Sequence, residues 1–448
     1  MSVISTPASD QDRRARAAAL VPRPPDPGSI ADETLASLIA ILDEIRLGQC
    51  RSRGELVART GLSRSIVARR VGELVDHGLV VEGDPGPSTG GRPPRQLTFR
   101  GDAGHILVAD LGATSIDVAM TTLDGRILAH RDEPADIAEG PDATLARVDE
   151  LFDELRATYG TPPGRLWGVG IGVPGPVEFS SGRPISPPIM PGWDLYPVRR
   201  RFADRYGAPV WVDNDVNVLA LGEWRSGVAA GHDNVVVVKI GTGIGAGIIS
   251  GGRIHRGAQG SAGDVGHIQV SDDRSVVCRC GKTGCLEALA AGEAIARDGE
   301  AAALQGRSPR LREAFDRLGA VTAEDVARAA SVGDPASVEL LQAAGRRVGI
   351  MLASIVNFFN PSLIVLGGGV AQGGDALVES LCEVVYRRSL PLATHDLEIR
   401  RSSLGSLAGV IGGAAMVVDL LFSRASMARW VEAGEPSGMP DVVLGGAR

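Results

Sequence analysis

Residues 234–249, NVVVVKIGTGIGAGII, form an apolar strand that enters a glycine-rich turn and continues into a second apolar strand. Residues 105–120, HILVADLGATSIDVAM, repeat this order, and Gly-Arg-Ile follows each unit, at 125–127 and at 252–254. A third glycine-rich element, LIVLGGGV at 363–370, is typical of a buried strand that runs into a helix. Because the strand–turn–strand unit occurs twice, we predict a duplicated, two-lobed α/β domain of the actin-like (RNase H-like) type.

The glycine turns also predict a ligand. Glycine lets backbone N–H groups crowd onto a phosphate, and threonine adds a hydroxyl donor. Tight hairpins need glycine regardless, so one turn is weak evidence, but three turns in two repeated halves favour a nucleotide clamp. Asp110, at the end of its strand, could hold Mg²⁺ through water. The predicted nucleotide-binding residues, if that activity is retained, are Asp110, Gly112, Thr114, Gly241, Thr242, Gly243, Gly367 and Gly368.

Between the two halves, residues 210–217, VWVDNDVN, form a short strand that ends in Asn214 and Asp215. A carboxylate beside a carboxamide suits a polyol substrate, because Asp215 could take a proton from a sugar hydroxyl while Asn214 fixes the ring. The same residues could instead form an Asx turn that caps the helix from Val216. The residues alone leave both interpretations open.

A cluster of potential metal ligands follows. His267 is succeeded by Cys278, Cys280 and Cys285, so three of the five cysteines lie within eight positions. Three cysteines and one histidine suit tetrahedral Zn²⁺, and in a reducing compartment a metal is favoured over disulfides. The spacing differs from that of a zinc finger, so we predict a structural zinc site that braces a ligand loop. Chance clustering is the alternative.

The charge of the chain is unevenly distributed. The net charge is −8, yet residues 51–100 carry nine arginines against five acidic residues, a local charge of +4. A basic island on an acidic chain is typical of a small DNA-binding domain attached to a larger body. Charge alone would fit a chance cluster equally well.

The pattern of residues 32–100 separates these possibilities. Leu35, Leu38, Ile39, Leu42 and Ile45 predict one helix face, Ser52 and Ser63 can cap two further short helices, and Thr60-Gly61 lies between them. In the third helix we expect Val67, Val71, Leu74 and Val75 in the core, and a hairpin with its tip at 83–94 follows. This order predicts a winged helix-turn-helix rather than a helical interaction module with a basic face. The predicted DNA contacts are Arg64, Ser65, Arg69 and, on the wing, Arg92.

The rest of the chain is divided accordingly. We expect a disordered arm at 1–31, the large domain at 104–425 and a tail at 426–448. Hydrophobic residues make up 44%, which is ample for two cores. No apolar run reaches the roughly 18 residues of a membrane span, and the arm lacks the apolar centre of a signal peptide. We therefore predict a cytoplasmic protein with no membrane partner.

Together these motifs resemble the ROK family of repressors, open-reading-frame proteins and sugar kinases, over about residues 32–425. The motifs are DLGAT at 110–114, GVPGP at 172–176, NDVN at 214–217, Gly266-His267 and CRCGKTGCLE at 278–287. The resemblance implies a sugar-kinase-type fold, zinc on His267 and the three cysteines, and ATP phosphates with Mg²⁺ at the first two glycine turns. It implies sugar contacts from Asn214, Asp215, Asp264, His267 and Glu287, with Asp215 as the catalytic base in active kinases. Relatives with a winged helix are typically repressors of carbohydrate genes, and they are usually homodimers or homotetramers.

Three positions depart from the kinase pattern. Ala113 stands where the kinases usually have a second glycine, Asp264 where they carry a glutamate, and Pro188 where many have an asparagine. These changes affect catalysis more than sugar binding. We therefore predict a sugar-responsive regulator that binds operator DNA and a sugar or sugar phosphate. The competing interpretation is an ATP-dependent sugar kinase with a DNA-binding head, and a scaffold that binds neither ligand is the third.

Overall fold

The computed structural model describes residues 30–85, 95–160 and 165–445. Contacts within the chain divide it into two units. The small unit comprises residues 1–75 and 82–98, and the large unit comprises residues 76–81 and 99–448. The predicted arm lies almost entirely outside the described residues, as does the wing tip with Arg92, which falls within 86–94.

The helices of the small unit are α1 (Ile30–Arg46), α2 (Arg53–Thr60) and α3 (Arg64–Asp76). Local signals set their ends. The Ser52 hydroxyl accepts from the Glu55 N–H at the start of α2, and Ser63 accepts from the Ile66 N–H at the start of α3, both at 3.3 Å. Between the helices Gly61 has φ 69°, a left-handed conformation that favours glycine. The sequence thus forms two short helices around a tight turn.

The small unit has its own core, formed by Leu38, Ile41, Leu42, Ile45, Leu56, Val67, Val71, Leu74 and Leu97. The prediction for Val75 was wrong, because its side chain is 36% exposed. Val75 lies at the edge of the apolar stripe of α3, and the helix ends one residue later. Strands β1 (Val80–Pro85) and β2 (Arg95–Phe99) pair as a two-stranded sheet on either side of residues 86–94.

The large unit contains two five-stranded sheets with the same topology. The first has the order β5-β4-β3-β6-β9 and the second the order β12-β11-β10-β13-β14. In each, an antiparallel meander of three strands is extended by two parallel strands. The first sheet consists of β3 (His105–Leu111), β4 (Ser115–Thr122), β5 (Ile127–Pro134), β6 (Leu166–Val173) and β9 (Val210–Asn214). The second consists of β10 (Val235–Ile240), β11 (Ile244–Ser250), β12 (Arg253–Ile254), β13 (Leu363–Gly367) and β14 (Glu398–Arg401).

This repetition confirms the predicted duplicated, two-lobed α/β fold. A short hairpin, β7 (Val177–Glu178) with β8 (Arg183–Pro184), lies between β6 and β9. The helices are α4 (Pro141–Tyr159), α5 (Val198–Tyr206), α6 (Asp215–Ser226), α7 (Leu286–Ala290), α8 (Gly292–Leu304), α9 (Pro309–Leu318), α10 (Ala323–Ser331), α11 (Pro335–Phe359), α12 (Gly369–Gly373), α13 (Asp375–Arg388), α14 (Pro391–Thr394), α15 (Leu407–Leu421) and α16 (Arg424–Trp430).

The C-terminal boundary differs from the prediction of a tail at 426–448. Met427 and Trp430 of α16 are fully buried, and the Trp430 ring lies 5.5 Å from that of Trp167. Burial of large apolar rings therefore holds this segment on the large unit. No single described helix is long and apolar enough to cross a membrane, and the bent pair Leu407–Leu421 with Arg424–Ala433 would qualify only on length and composition.

Candidate functional site

The glycine turns of both lobes and the start of α6 line one cavity of about 300 Å³ in the large unit. The fold brings all five predicted sugar-binding residues to its wall: Asn214, Asp215, Asp264, His267 and Glu287. Of the predicted nucleotide residues it brings there Gly112, Thr114, Gly241, Thr242, Gly243 and Gly368. Among the described residues, Asp110 and Gly367 do not contribute to this wall.

Asn214 has two structural roles at the junction of β9 and α6. Its Oδ1 accepts from the N–H groups of Val216, at 3.0 Å, and Asn217, so the side chain caps α6. Its Nδ2 donates to the Gly175 carbonyl at 3.0 Å. The side-chain oxygen of Asn214 therefore caps the helix, as the Asx interpretation predicted. The side-chain amide has a second hydrogen, which remains available to a ligand in the cavity.

Asp215 is the first residue of α6, with its side chain only 8% exposed. Lys239, near the end of β10, donates from Nζ to Asp215 Oδ2 at 2.7 Å. This lysine is not among the residues predicted from the sequence, although a single charge in the strand VVVVKI is itself a signal of a partner nearby. The carboxylate predicted to act as a base is thus already paired with a cation.

Asp110 is buried behind the cavity wall. Burial, more than any other influence, raises its pKa to about 7. Its Oδ1 has no hydrogen-bond donor among the described residues. A Cβ on Gly172 would lie 2.5 Å from that oxygen, and a side chain on Gly409 would collide with Oδ2. Glycine at 172 and 409 therefore leaves room for this buried carboxylate.

A second buried carboxylate, Asp213, is also not among the residues predicted from the sequence, and it supports the site next to Asn214. Asp213 Oδ2 accepts from Arg256 Nε at 2.7 Å, and Oδ1 accepts from Asn217 Nδ2 at 2.9 Å. The Arg256 guanidinium lies 3.8 Å from the ring centre of Phe179. This arrangement fixes the end of β9 immediately before Asn214.

Glu287, near the start of α7, lines the same cavity. Its Oε2 accepts from the Ile244 N–H at 3.1 Å, and burial raises its pKa above the ordinary value. A Cβ on Gly243 would lie 2.5 Å from the same oxygen, so glycine there makes room for the carboxylate. Its second oxygen can accept a hydrogen bond from a ligand.

The predicted metal ligands converge. The donor atoms of His267, Cys278, Cys280 and Cys285 all lie within 4.8 Å of one another. Two sulfurs bound to tetrahedral zinc at about 2.3 Å would be about 3.8 Å apart, and the Sγ atoms of Cys280 and Cys285 are separated by 3.7 Å. Burial raises the pKa of the Cys285 thiol to about 12, so a thiolate there requires a neighbouring positive charge. The cluster can hold a metal ion.

His267 connects this cluster with the cavity. Its Nδ1 lies 3.6 Å from Cys278 Sγ, and its Nε2 lies 3.9 Å from Asp264 Oδ1. A metal on Nδ1 would leave Nε2 protonated and directed towards a ligand. The ring orientation therefore depends on the cysteine cluster.

In the small unit, three of the predicted DNA contacts are exposed on α3: Arg64, Ser65 and Arg69. The neighbouring Arg70 is different, with its side chain 4% exposed. It donates to Glu73 at 2.6 Å and to Thr34 at 2.9 Å, which ties α3 to α1. Helix α3 thus has one arginine inside the unit and two available on its surface.

Comparison with known proteins adds to these observations. The model of the ROK family matches residues 106–419. The chain belongs to the ROK family. It is 32% identical to a putative xylose repressor of Caldicellulosiruptor sp. over 369 residues, 82% of this chain and 92% of the relative. It is 33% identical to a glucokinase of Halalkalibacterium halodurans over 308 residues, 69% of this chain and 93% of the relative.

A solved ROK family transcriptional regulator, described as a homolog of the Escherichia coli Mlc protein, is also similar. Its TM-score is 0.76 at 28% identity, and the match covers 90% of this chain and 100% of the regulator. The two regulatory proteins therefore match more of this ROK chain than the glucokinase does.

Proposed function

We propose that this ROK protein is a sugar-responsive repressor that binds operator DNA through its small unit and a monosaccharide in the cavity of its large unit. The main support for the proposal is the share of the chain that each relative matches. The xylose repressor and the solved regulator match over 82% and 90% of the chain, beyond the 314 residues of the family model. The glucokinase match, at 308 residues, is about the size of the family model's match alone.

The cavity supplies chemistry suited to a sugar. Sugars are bound by carboxylates, amides and imidazoles that each exchange hydrogen bonds with hydroxyls. Asp215, Asp264 and Glu287 offer acceptors, and His267 Nε2 and Asn214 Nδ2 offer donors. Because the relatives are named for xylose and glucose, we propose a pentose or hexose as the effector, free or phosphorylated.

The cysteine cluster suits zinc. Three thiolates and one imidazole nitrogen form a closed tetrahedral set, which is the donor set of a structural zinc site. Zinc there would brace the segment that leads into α7 and hold His267 in the orientation that sugar binding requires. We therefore assign a structural role to this metal.

The exposed face of α3 suits DNA. Arg64, Ser65 and Arg69 lie on the second helix of a helix–turn–helix, the element that enters the major groove in such motifs. Operators of such proteins are commonly two-fold symmetric, so we propose that the chain acts as a homodimer or homotetramer. Regulation of genes places it in the cytoplasm.

A sugar kinase is the second candidate, because the glycine and threonine turns and the Asn214–Asp215 pair are all present in the cavity. The pairing of Asp215 with Lys239 weighs against it. A carboxylate that already accepts from an ammonium is a weaker base for a sugar hydroxyl. Ala113 and Pro188, both departures from the kinase pattern, also line the cavity.

Titration of labelled DNA from the region upstream of its own gene tests the proposal. Anisotropy is measured with no sugar, with xylose, with glucose and with a non-sugar polyol as control. We expect one sugar to change DNA affinity and Asp215→Asn to abolish the change. A coupled assay for ATP turnover with the same sugars should remain at background, and sugar-dependent turnover would support the kinase instead.

A further inference from the structure

Lys239 and Asp110 occupy equivalent positions in the two lobes. Asp110 pairs with Gly172 of the neighbouring parallel strand, and Lys239 pairs with Gly367 in the same way. Each lies one residue before the last antiparallel pair of its hairpin and two residues before a glycine of the turn. The duplication therefore places a carboxylate in one lobe and an ammonium in the other at the same structural position.

The choice of lysine is unusual for this chain. Only two of its 46 basic residues, Lys239 and Lys282, are lysines. A lysine is a compact point charge, whereas an arginine is a wide planar fork. The position beside Asp215 is filled by the smaller cation.

The surroundings of Lys239 are strongly acidic. It contacts Asp215 directly, and Asp110 and Asp117 lie near enough to influence its protonation. Burial disfavours the ammonium, but the attraction of these carboxylates outweighs burial and raises the pKa of Lys239. The lysine is therefore charged at neutral pH.

These carboxylates are also the groups that a divalent metal would need. Mg²⁺ binds proteins through one or two carboxylates and keeps several waters in an octahedral shell. Asp110, the residue predicted for Mg²⁺, is buried and does not contribute to the cavity wall, and Asp215 is paired with Lys239. The residues present do not fit a nucleotide-bound Mg²⁺.

We infer that Lys239 is a resident cation that replaces the divalent metal between the two lobes, so that the cleft receives its sugar without Mg²⁺ and without a nucleotide. The inference deepens the proposed function and rests on it for the identity of the ligand as a sugar. Its physical basis is independent of that identity. If the ammonium moved to a phosphate, two buried carboxylates would lose their counter-charge, which is costly at low dielectric.

The small number of lysines allows a direct test. Protein carrying ¹³C-labelled lysine gives two side-chain signals by NMR, and Lys282→Arg assigns them. We expect added Mn²⁺ to leave the Lys239 signal as sharp as it is without metal, whereas Lys282, between Cys280 and Cys285, reports separately on Mn²⁺ at the cysteine cluster. We also expect ATP without metal to leave the Lys239 shift unchanged. Selective broadening by Mn²⁺, or a shift of Lys239 with ATP, would overturn the inference.

A variant supplies the converse test. Lys239→Met removes the cation and keeps most of the side-chain volume, and Arg200→Met, which removes an exposed cation, is the control. With the carboxylates unpaired, free Mn²⁺ measured by electron paramagnetic resonance should show binding at least about tenfold tighter than in the wild type, because one positive charge beside the metal has been removed. Mn²⁺ binding equal to that of the wild type in a folded Lys239→Met variant would contradict the inference. If the variant does not fold, the NMR experiment on the wild-type protein is the test. DNA and sugar are absent from both tests, so failure of the proposed function cannot mimic either result.

Discussion

Replacement of Asp110 by asparagine should remove a defined part of the pH dependence of stability. The folded protein holds the pKa of Asp110 at about 7, above its ordinary value of 3.8, chiefly through burial. Between these two values the folded chain binds more protons at this site than the unfolded chain. The free energy of unfolding therefore falls as the pH rises through this window and levels off above pH 7.

The magnitude follows from the shift. Each pH unit well inside the window costs about 1.4 kcal/mol, and the slope falls to half at the folded pKa, so Asp110 accounts for a loss of about 1.6 kcal/mol between roughly pH 5.5 and 7.0. Asp110→Asn keeps the shape of the side chain and cannot ionise. The difference in unfolding free energy between variant and wild type should grow by that amount over the same interval.

Tryptophan fluorescence in urea is a suitable measurement, because all five tryptophans, Trp167, Trp193, Trp211, Trp224 and Trp430, belong to the large unit. Asp396→Asn is the matched control, since its side chain is 90% exposed. If wild type and Asp110→Asn lose stability in parallel between pH 5.5 and 7.0, then the carboxyl of Asp110 reaches water and the described enclosure is incorrect.

Three further predictions concern the proposed ligands. Elemental analysis should find about one zinc per chain, the capacity of one such site, and Cys280→Ser should lower it, whereas Cys382→Ser should not. Arg64→Ala and Arg69→Ala should each weaken DNA binding and reduce the slope of log affinity against log salt by about 0.9, while a slope equal to that of wild type would show that neither contacts phosphate. Calorimetry should show that DNA changes sugar affinity by the same factor as sugar changes DNA affinity, commonly about 5–150-fold. Glu287→Gln should abolish both effects, and an effect in only one direction would contradict the linkage.

Much of the cavity could be predicted because its parts are local in sequence. The turns after β3 and β10 need glycine wherever they lie in the fold. Asn214 and Asp215 stand at the start of a helix, and Asx residues are typical of that position. The metal cluster spans only residues 267–285, so few chain conformations separate its members. Short-range signals of this kind can be recognised in the sequence without knowledge of the tertiary structure.

The remaining features depend on packing between distant segments. Lys239 pairs with Asp215 because β10 of the second lobe packs near the start of α6, and the spacing of residues in the sequence does not predict this contact. Nothing in the sequence distinguishes Arg70 from the exposed arginines of α3, yet its side chain is buried and donates hydrogen bonds to Thr34 and Ser37 of α1. Trp430 is buried because Trp167, more than 250 residues earlier, lies against it.

The histidine in the metal cluster explains why a structural metal would be retained in a sugar sensor. A zinc site that served stability alone could lie anywhere on the surface, but here His267 is both a member of the cluster and a part of the cavity wall. A metal bound through Nδ1 would fix the tautomer of the ring and keep a donor on Nε2, opposite the Asp264 carboxylate. The backbone that follows Cys285 enters α7 at once and carries Glu287 to the same cavity. Two residues that we propose to bind the sugar are thus positioned by one cluster, and we expect its geometry to influence how well the cleft distinguishes a hydroxyl pattern.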